Sequence, residues 1–235
     1  MDCIFIPLSS LEVISPLLST PLILPTHLQS AVEKRQRSYL TGRACAQFLY
    51  AKYQLEWDGL PMYADTHPLK GAPQWPQGFV GSISHSNDLA VACLFSKQKV
   101  HSVGIDTEHI MNQERALQLR SHILHPLETW VKTPLELSLV FSFKESIYKA
   151  LNPLLKRFIG FQEVIVYEPT PKLIPETVPQ QTPLANQCSL SWRAESTLSK
   201  DLKAYFGKHL PPFTGRAQWW QKPDHTGFVF TTYRF

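Results

Sequence analysis

The sequence predicts an α+β fold made of two similar halves. Two observations support this prediction: a helical segment followed by short strands occurs twice along the chain, and the second half begins near residue 102. A length of 235 residues suits one large domain or two small ones. We therefore expect an N-terminal α+β half over residues 1–101 and a C-terminal α+β half over residues 102–235.

The elements of the N-terminal half follow from its apolar spacing and its prolines. A strand is predicted over residues 3–7, and a proline-interrupted loop follows to Pro25. Thr26 is a candidate N-cap for one helix, or a broken pair of helices, that ends near Tyr53. Residues 56–78 are rich in proline and glycine, which predicts a long ordered loop, and such loops tend to be functional. Three strands then follow in quick succession, at residues 79–84, 89–95 and 103–108.

The C-terminal half is predicted to contain helices first and strands afterwards. A helical region begins near Asn112, and its last helix, over residues 135–151, carries Leu139, Phe143 and Ile147 on one apolar face. Strands are predicted at residues 161–167, 189–194, 217–222 and 227–233. Five prolines fall between residues 168 and 188, which predicts an excursion on the surface because proline cannot pair inside a sheet.

Composition and charge restrict the class of protein. Hydrophobic residues make up 43% of the chain and charged residues 18%, which excludes wholesale disorder. The formal net charge is only +4, which argues against a long groove for nucleic acid. A local group of basic residues is still able to bind a phosphate.

The cysteines and the apolar runs predict a location in the cytoplasm. The four cysteines, Cys3, Cys45, Cys93 and Cys188, show no CxxC pairing, and we expect them to be reduced and mostly structural. The first 33 residues contain no lysine or arginine, so the basic segment of a signal peptide is missing. No apolar run reaches the roughly 18 residues that a membrane span needs.

The most informative segment is the strand over residues 103–108 (VGIDTE). Side chains two residues apart in a strand share a face, so Asp106 and Glu108 are expected to project together. Adjacent carboxylates repel unless a cation or a proton lies between them, and oxygen ligands suit Mg²⁺. The alternative is an ordinary solvated end of a strand.

A second segment, residues 141–149 (FSFKESIYK), places charged groups on the predicted helix. Glu145 and Lys149 are i and i+4 neighbours, which alone is typical of a surface ion pair. The helix is anchored by its apolar face, so it can hold Lys144, Glu145 and Lys149 in fixed directions. Glu145 would then add a third oxygen ligand to the pair on the strand.

Further candidates for anion binding lie in the N-terminal half. Ser84 and His85 end a strand, and a hydroxyl, a backbone amide or a ring nitrogen there can donate to a phosphate. Arg35 and Arg43 differ by about 80° on a helical wheel and are expected to flank one anion, unless this is a solvated basic face. Lys70 lies in the long loop, next to a glycine that permits close approach to a ligand.

In this order the segments resemble the 4′-phosphopantetheinyl transferase superfamily, specifically the longer surfactin-synthetase-activating type and the branch of enterobactin synthase component D. Residues 104–108 (GIDTE) match the family pattern G-[IV]-D-x-E, and residues 141–149 match [FW]-[SCT]-x-K-E-[SA]-x-x-K. Support comes from residues 81–85, from residues 35–43 and from Lys70. The resemblance covers roughly residues 30–168, and it implies halves related by a pseudo-two-fold axis with the active site in the cleft between them.

The resemblance implies a transferase that moves the phosphopantetheine arm of coenzyme A to a serine of an acyl or peptidyl carrier protein. It implies that Asp106, Glu108 and Glu145 bind Mg²⁺ or Mn²⁺, and that Glu145, directly or through water, and Lys149 are catalytic. The residues that it implies for coenzyme A are Arg35, Arg43, Lys70, Gly71, Ala72, Pro73, Ser84, His85, Asp106, Lys144 and Lys149.

Partners and rival functions complete the prediction. We expect a monomer that binds coenzyme A and a carrier domain, with no nucleic acid and no transmembrane segment. Candidate carrier contacts lie within residues 115–132. The alternatives are a different Mg²⁺-dependent phosphoryl enzyme, such as a nuclease or phosphohydrolase, and a non-catalytic carrier-binding module.

Overall fold

The structure is a computed structural model that describes residues 3–169, 186–207, 210, 214–221 and 227–234. It combines helices with two antiparallel sheets, so the predicted α+β class is confirmed. Across these ranges no helix is both long and apolar enough to cross a membrane.

Within the described residues, the first sheet has three antiparallel strands in the order β1-β3-β2. These strands are β1 (Cys3–Pro7), β2 (Phe79–His85) and β3 (Leu89–Ser96). A short helix, α1 (Leu11–Ile14), and a long one, α2 (Glu33–Lys52), lie between β1 and β2 in sequence. Helix α2 covers one face of this sheet, where Ala44 and Leu49 pack with Ala90, Ala92 and Leu94 in a buried cluster.

The second sheet, in the described part of the chain, has five strands in the order β4-β8-β7-β6-β5, and every adjacent pair is antiparallel. The strands are β4 (Val103–His109), β5 (Val164–Val166), β6 (Asn186–Ala194), β7 (Thr214–Gln221) and β8 (Gly227–Arg234). The helices are α3 (Gln113–Ile123), α4 (Pro134–Leu155) and α5 (Ser196–Phe206). The apolar side of α4, which includes Phe143 and Ile147, forms the core over this sheet.

A capping box fixes the N-terminal end of helix α4. Thr133 Oγ1 accepts from the Glu136 amide (3.2 Å), and Glu136 Oε2 accepts from the Thr133 amide (2.8 Å). Such a capping box satisfies amides that the first helical turn leaves free, and Pro134 suits the first helical position. The helix is therefore fixed at the end that precedes the charged segment.

Gly104 sets the distance between α4 and β4. A Cβ atom at this position would collide with the backbone oxygen of Ser146 and would lie 2.7 Å from the backbone nitrogen of Ala150. Only glycine therefore permits the helix to rest directly on the strand. This contact explains the glycine that precedes Asp106 in the sequence motif, and it brings α4 within reach of the acidic side chains of β4.

The two sheets meet along the open edge of β4. The amides of Ile105 and Thr107 donate to Ser82 Oγ (3.2 Å) and Ser84 Oγ (3.3 Å) of β2. These serines satisfy amides that would otherwise be buried without an acceptor. Beside them lies a buried apolar cluster formed by both sheets: Val91, Cys93, Phe95, Val100, Val103, Ile105 and Phe230.

Most predicted elements are present, with several differences. Thr26 is the first residue of a short 3-10 turn (Thr26–Leu28) and not an N-cap, and the long helix begins later, at Glu33. The predicted strand at 161–167 is reduced to Val164–Val166, because Glu163 accepts from the Gly160 amide (2.9 Å) and closes a 3-10 turn first. Helix α5 was not predicted.

Two predictions about organisation stay open. Residues 170–185 of the proline-rich stretch lie outside the described residues. The division at residue 102 and the pseudo-two-fold relation also stay predictions, since the two described sheets differ in strand number.

Candidate active site

Three predicted acidic residues share the space between β4 and α4. Strand alternation turns Ile105 toward the first sheet, so Asp106 and Glu108 lie on the face that α4 covers. Glu145 lies on α4 within electrostatic range of both carboxylates. The prediction that the two strand carboxylates project together toward a helical carboxylate is therefore consistent with the fold.

Asp106 is the centre of a polar cluster that joins the two sheets. Its Oδ1 accepts from Lys149 Nζ (2.7 Å) and from Ser84 Oγ (2.7 Å), and Lys149 Nζ also donates to Ser84 Oγ (3.0 Å). We call Ser84, Asp106 and Lys149 the junction cluster. The single hydroxyl proton of Ser84 goes to Asp106, so in this arrangement Ser84 holds the carboxylate and has no proton for a phosphate.

Burial and mutual repulsion raise the pKa values of the other two carboxyl groups. Burial raises the pKa of Glu108, and the Asp106 carboxylate raises it further. Burial also raises the pKa of Glu145, the Lys149 ammonium opposes this effect, and Asp106 and Glu108 add to the rise. Negative charge is therefore concentrated here, in a way that a cation or a proton would relieve.

The chemistry of these side chains fits a hard divalent cation. Asp106 Oδ2 is buried and has no hydrogen-bond partner among the residues that the structure describes, which is costly for a carboxylate oxygen. Carboxylate oxygens are the ligands that Mg²⁺ and Mn²⁺ accept readily. Among the residues that the structure describes, no group of three or more His, Cys, Asp or Glu side chains is arranged around a metal position. In this arrangement the Lys149 ammonium bonds the other oxygen of Asp106.

His85 and Arg35 are brought together at the end of β2. Arg35 Nη1 lies 3.1 Å from His85 Nε2. Burial lowers the pKa of His85, and the cationic Arg35 and Lys149 lower it further, so the ring is neutral near pH 7. Arg35, rather than a protonated His85, supplies the positive charge at this point.

Arg43 is not brought to the same place. It lies about 12 Å further along α2, as eight residues of helix require. It is buried, with its guanidinium over the Tyr39 ring at 4.7 Å and its Nε donating to Tyr39 Oη (3.3 Å). In this arrangement Arg43 contacts Tyr39 and is not beside Arg35. The expectation that Arg35 and Arg43 flank one anion stays a prediction.

The long loop borders two cavities. One of about 480 Å³, which we call the junction cavity, lies between the loop, β2 and the end of α4, and Lys70 and Lys149 both line it. A second of about 820 Å³ is lined by Lys70 and Arg35. The loop is ordered by bonds from the Tyr63 amide to Ala72 (3.0 Å) and from the Gly71 amide to Tyr63 (3.1 Å). Gly71, Ala72 and Pro73 thus line the junction cavity, as Lys70 does.

Lys144 lies away from the junction cluster in this structure, and its predicted contact with coenzyme A stays a prediction. Its side chain is buried, and Nζ donates to Glu128 Oε2 (2.8 Å), to the Ile123 carbonyl (2.9 Å) and to the Phe161 carbonyl (3.0 Å). All three ammonium protons therefore have protein acceptors, and none is left for a phosphate. Burial lowers the pKa of Lys144, while Glu128 opposes that shift.

Other residues at the site were not predicted from the sequence. Ser82 supports the edge of β4, and Tyr148 and Asn152 line the junction cavity beside Lys149. Helical spacing carried a signal for Asn152, since residues three apart on a helix lie on one face. Ser82 carried no such signal, because its role depends on the meeting of two sheets.

Two family models match the chain. A model described as the 4′-phosphopantetheinyl transferase N-terminal domain matches residues 24–94. A model described as the 4′-phosphopantetheinyl transferase superfamily matches residues 102–204. The two matches include all three members of the junction cluster.

Curated relatives agree with these matches. The 4′-phosphopantetheinyl transferase Npt of Nocardia iowensis is 38% identical over 141 residues, which are 58% of this chain and 60% of that protein. Enterobactin synthase component D of Salmonella typhi is 38% identical over 139 residues, 56% of this chain and 55% of that protein. The 4′-phosphopantetheinyl transferase PptT of Mycobacterium tuberculosis is 33% identical over 137 residues, 57% of this chain and 58% of that protein. The matches thus span just over half the length of these relatives. The chain belongs to the 4′-phosphopantetheinyl transferase superfamily.

Proposed function

We propose that this protein transfers the 4′-phosphopantetheine group of coenzyme A to a serine of an apo acyl or peptidyl carrier protein. The products are the holo carrier protein and adenosine 3′,5′-bisphosphate. The observation that carries this proposal is the junction cluster at the edge of a cavity, in a chain of this superfamily. The cluster pairs an ammonium with a carboxylate that keeps one buried oxygen free, and this combination suits a pyrophosphate accompanied by a divalent cation.

Asp106, Glu108 and Glu145 would hold the metal. Support comes from the unpartnered Asp106 Oδ2 and from the raised pKa values of the two glutamates. A bound Mg²⁺ or Mn²⁺ would neutralise the negative charge that develops on the phosphates during transfer.

Basic groups around the two cavities would bind the rest of coenzyme A. Lys149 lies at the junction cluster and would contact the pyrophosphate, and Lys70 would contact another phosphate oxygen. Arg35, with His85 as its neutral neighbour, would bind the 3′-phosphate, because guanidinium groups suit bidentate phosphate contacts. Arg43 would join this contact only after its side chain leaves Tyr39. Residues 71–73 would pack against the bound molecule.

The transfer step needs a base for the carrier serine. The serine oxygen attacks the phosphorus that bears the pantetheine arm, a new P–O bond forms, and the bond from that phosphorus to the bridging oxygen breaks. The bridging oxygen leaves on adenosine 3′,5′-bisphosphate, and the serine proton passes to Glu145, directly or through one water. Burial and neighbouring carboxylates raise the pKa of Glu145, which makes it a better proton acceptor than an exposed glutamate.

We further propose that a monomer acts on carrier domains in the cytoplasm. The described part of each sheet comes from one chain, and the junction cluster needs residues from only one copy. The segment proposed for the carrier contact, residues 115–132, begins at Arg115 in the first turn of α3.

The test uses purified protein, an apo carrier protein, coenzyme A and Mg²⁺. We expect the carrier mass to rise by one phosphopantetheine group by intact-mass spectrometry. Glu145→Gln should slow this modification by at least about a hundredfold, while Glu56→Gln, at an exposed glutamate, should leave it unchanged. An unmodified mass across a panel of apo carriers, or full activity of Glu145→Gln, would refute the proposal.

A further inference from the structure

Two cysteines face each other across the first sheet. Cys3 of β1 and Cys93 of β3 are directly paired in the antiparallel register. Side chains opposite each other in such a pair have Cβ atoms about 4.5–5.5 Å apart. Cys93 belongs to the buried cluster between the sheets, Cys3 packs against the same cluster, and both are free cysteines. The sulfur atoms are therefore already neighbours in the reduced protein.

The remaining cysteines lie elsewhere in the fold. Cys45 belongs to α2 and packs on the opposite face of the first sheet, where its thiol donates to the Ala90 carbonyl (3.6 Å). Cys188 lies on β6 in the second sheet. Because alternate residues of a strand point to opposite faces, Cys93 faces Cys3 and not Cys45. The structure thus favours one pairing of the four thiols.

We propose that Cys3 and Cys93 form an oxidation site that a two-electron oxidant, such as hydrogen peroxide, converts to a disulfide. Cys3 is only partly buried, whereas Cys93 is 0% exposed. The oxidant therefore meets Cys3 first, and Cys93 acts as the resolving thiol. This pair is a reversible modification site that is separate from the junction cluster.

The chemistry is balanced by the peroxide. The Cys3 sulfur attacks one peroxide oxygen, the O–O bond breaks, and a sulfenic acid forms while the other oxygen leaves as water. The Cys93 sulfur then attacks the Cys3 sulfur, the S–S bond forms, and the S–O bond breaks to release a second water. The two thiols together lose two electrons and two protons, and one peroxide becomes two waters.

Burial makes the second step the slow one. Burial raises the pKa of Cys93, and its contact with the Cys3 thiol raises it further. The reactive form of a cysteine is the thiolate, so Cys93 does not react with oxidant on its own. It reacts when Cys3, held against it by the strand register, carries a leaving group.

The disulfide would stabilise the N-terminal sheet without altering the junction cluster. It would tie the first strand to the central one and close a loop that contains α2, the long loop and β2. A cross-link of this kind removes freedom from the unfolded chain. Cys93 packs with Ile105, whereas Asp106 points to the other face of β4. Oxidation is therefore expected to raise the melting temperature and leave transfer activity intact.

The experiment treats the full-length protein with hydrogen peroxide, alkylates free thiols and maps peptides by mass spectrometry. We expect a cross-linked peptide pair containing Cys3 and Cys93, reversal by dithiothreitol, and a melting temperature higher by roughly 5 °C or more. Cys3→Ser and Cys93→Ala should each abolish the cross-link and the thermal shift. Cys188→Ser should retain both.

Other outcomes would overturn the proposal. Oxidation of Cys3 to a sulfinic acid without a cross-link, or a cross-link that involves Cys45 or Cys188, contradicts the pairing. A cross-link without a thermal shift contradicts the stabilising role. These readouts are masses and melting temperatures, so they do not depend on whether the protein transfers phosphopantetheine. If Cys93→Ala fails to fold, Cys3→Ser still decides the outcome because Cys3 is partly exposed.

Discussion

Helix α4 carries two lysine–carboxylate pairs that differ in what their carboxylates contact. Lys144 pairs with Glu128 in the core, where Glu128 also accepts from the amides of His125 and Val166 (both 2.7 Å). Lys149, which lines the junction cavity, pairs with Asp106, and Asp106 Oδ2 has no partner in the described part of the chain. The two ammonium groups are five residues apart on one helix, but only the second is beside an unsatisfied oxygen.

The difference shows how to separate a structural ion pair from a functional one. Both oxygens of Glu128 and all three protons of Lys144 are used by the protein, so nothing is left to bind a ligand. A buried oxygen that the fold leaves unpaired, as in Asp106, costs free energy that a ligand can recover. Proximity of opposite charges alone does not separate the two cases.

Substitution by alanine should therefore lower mainly the transfer activity at Lys149 and mainly the stability at Lys144. Lys149→Ala removes an ammonium from the proposed pyrophosphate contact, and we expect transfer activity to fall by about 100- to 1000-fold. The loss of stability should be smaller than for Lys144→Ala, because the Lys149 side chain is partly exposed whereas the Lys144 side chain is fully buried. Initial rates of carrier modification measure the effect, with Lys99→Ala at an exposed lysine as the control. Normal activity in Lys149→Ala would contradict a functional role for the pair of Lys149 and Asp106.

Lys144→Ala should act on stability instead. It leaves the Glu128 carboxylate buried without its cation, which typically costs about 3–5 kcal/mol. Urea denaturation measures this loss of unfolding free energy, and Lys203→Ala on the exposed side of α5 serves as the control. At a temperature where the variant is folded, we expect its transfer rate to stay within about tenfold of the original, since a structural defect acts mainly through the folded fraction. A fully stable but inactive Lys144→Ala protein would instead support the predicted contact of Lys144 with coenzyme A.

Much of the site could be predicted from residue spacing. Alternation along β4 predicted that Asp106 and Glu108 share a face, and an i, i+4 spacing placed Glu145 near Lys149. The same geometry indicates that Lys144 and Lys149 point in different directions, because five residues at 100° each separate them by about 140° around the helix. The sequence did not identify Glu128 as the partner, because that contact joins α4 to a loop 16 residues earlier.

The remaining misses have tertiary causes. Ser82 and Ser84 act as acceptors for the edge of β4 only because the sheets meet there. Helix α5 carries Leu198 and Leu202 at an i, i+4 spacing, but the segment is short and lies between predicted strands. The α+β class was predictable because it depends on the order of local patterns and not on these contacts.

Gly104→Ala would test whether the close approach of α4 to β4 is needed. The added Cβ collides with the backbone oxygen of Ser146, so the helix or the strand must move, and we expect a loss of about 3 kcal/mol in unfolding free energy. Gly160→Ala is the matched control, since a Cβ there meets its nearest atom at 3.9 Å. If both variants are equally stable, the backbone contact does not position the Lys149 side of the helix.

The smallest predicted effect concerns the pH dependence of stability. The pKa of Glu145 is raised in the folded state, so folding favours the protonated form, and this stabilisation is lost as the pH rises through the folded-state pKa. Glu145→Gln, measured in the presence of a chelator, should therefore melt a few degrees higher than the original protein at about pH 7. The difference should vanish below about pH 4, where Glu145 is protonated in both states. A Glu145→Gln protein that is less stable at pH 7 would contradict the excess of negative charge at the site.

The unpaired oxygen of Asp106 is the central claim, and a binding titration tests it most directly. Coenzyme A is titrated into the protein and into Asp106→Asn by calorimetry, with and without Mg²⁺, after circular dichroism shows that both proteins are folded. We predict that Mg²⁺ tightens coenzyme A binding to the original protein by about tenfold or more, equivalent to about 1.4 kcal/mol, and that this dependence disappears in Asp106→Asn. Equal affinity with and without Mg²⁺ in the original protein, or an unchanged Mg²⁺ effect in Asp106→Asn, would contradict it.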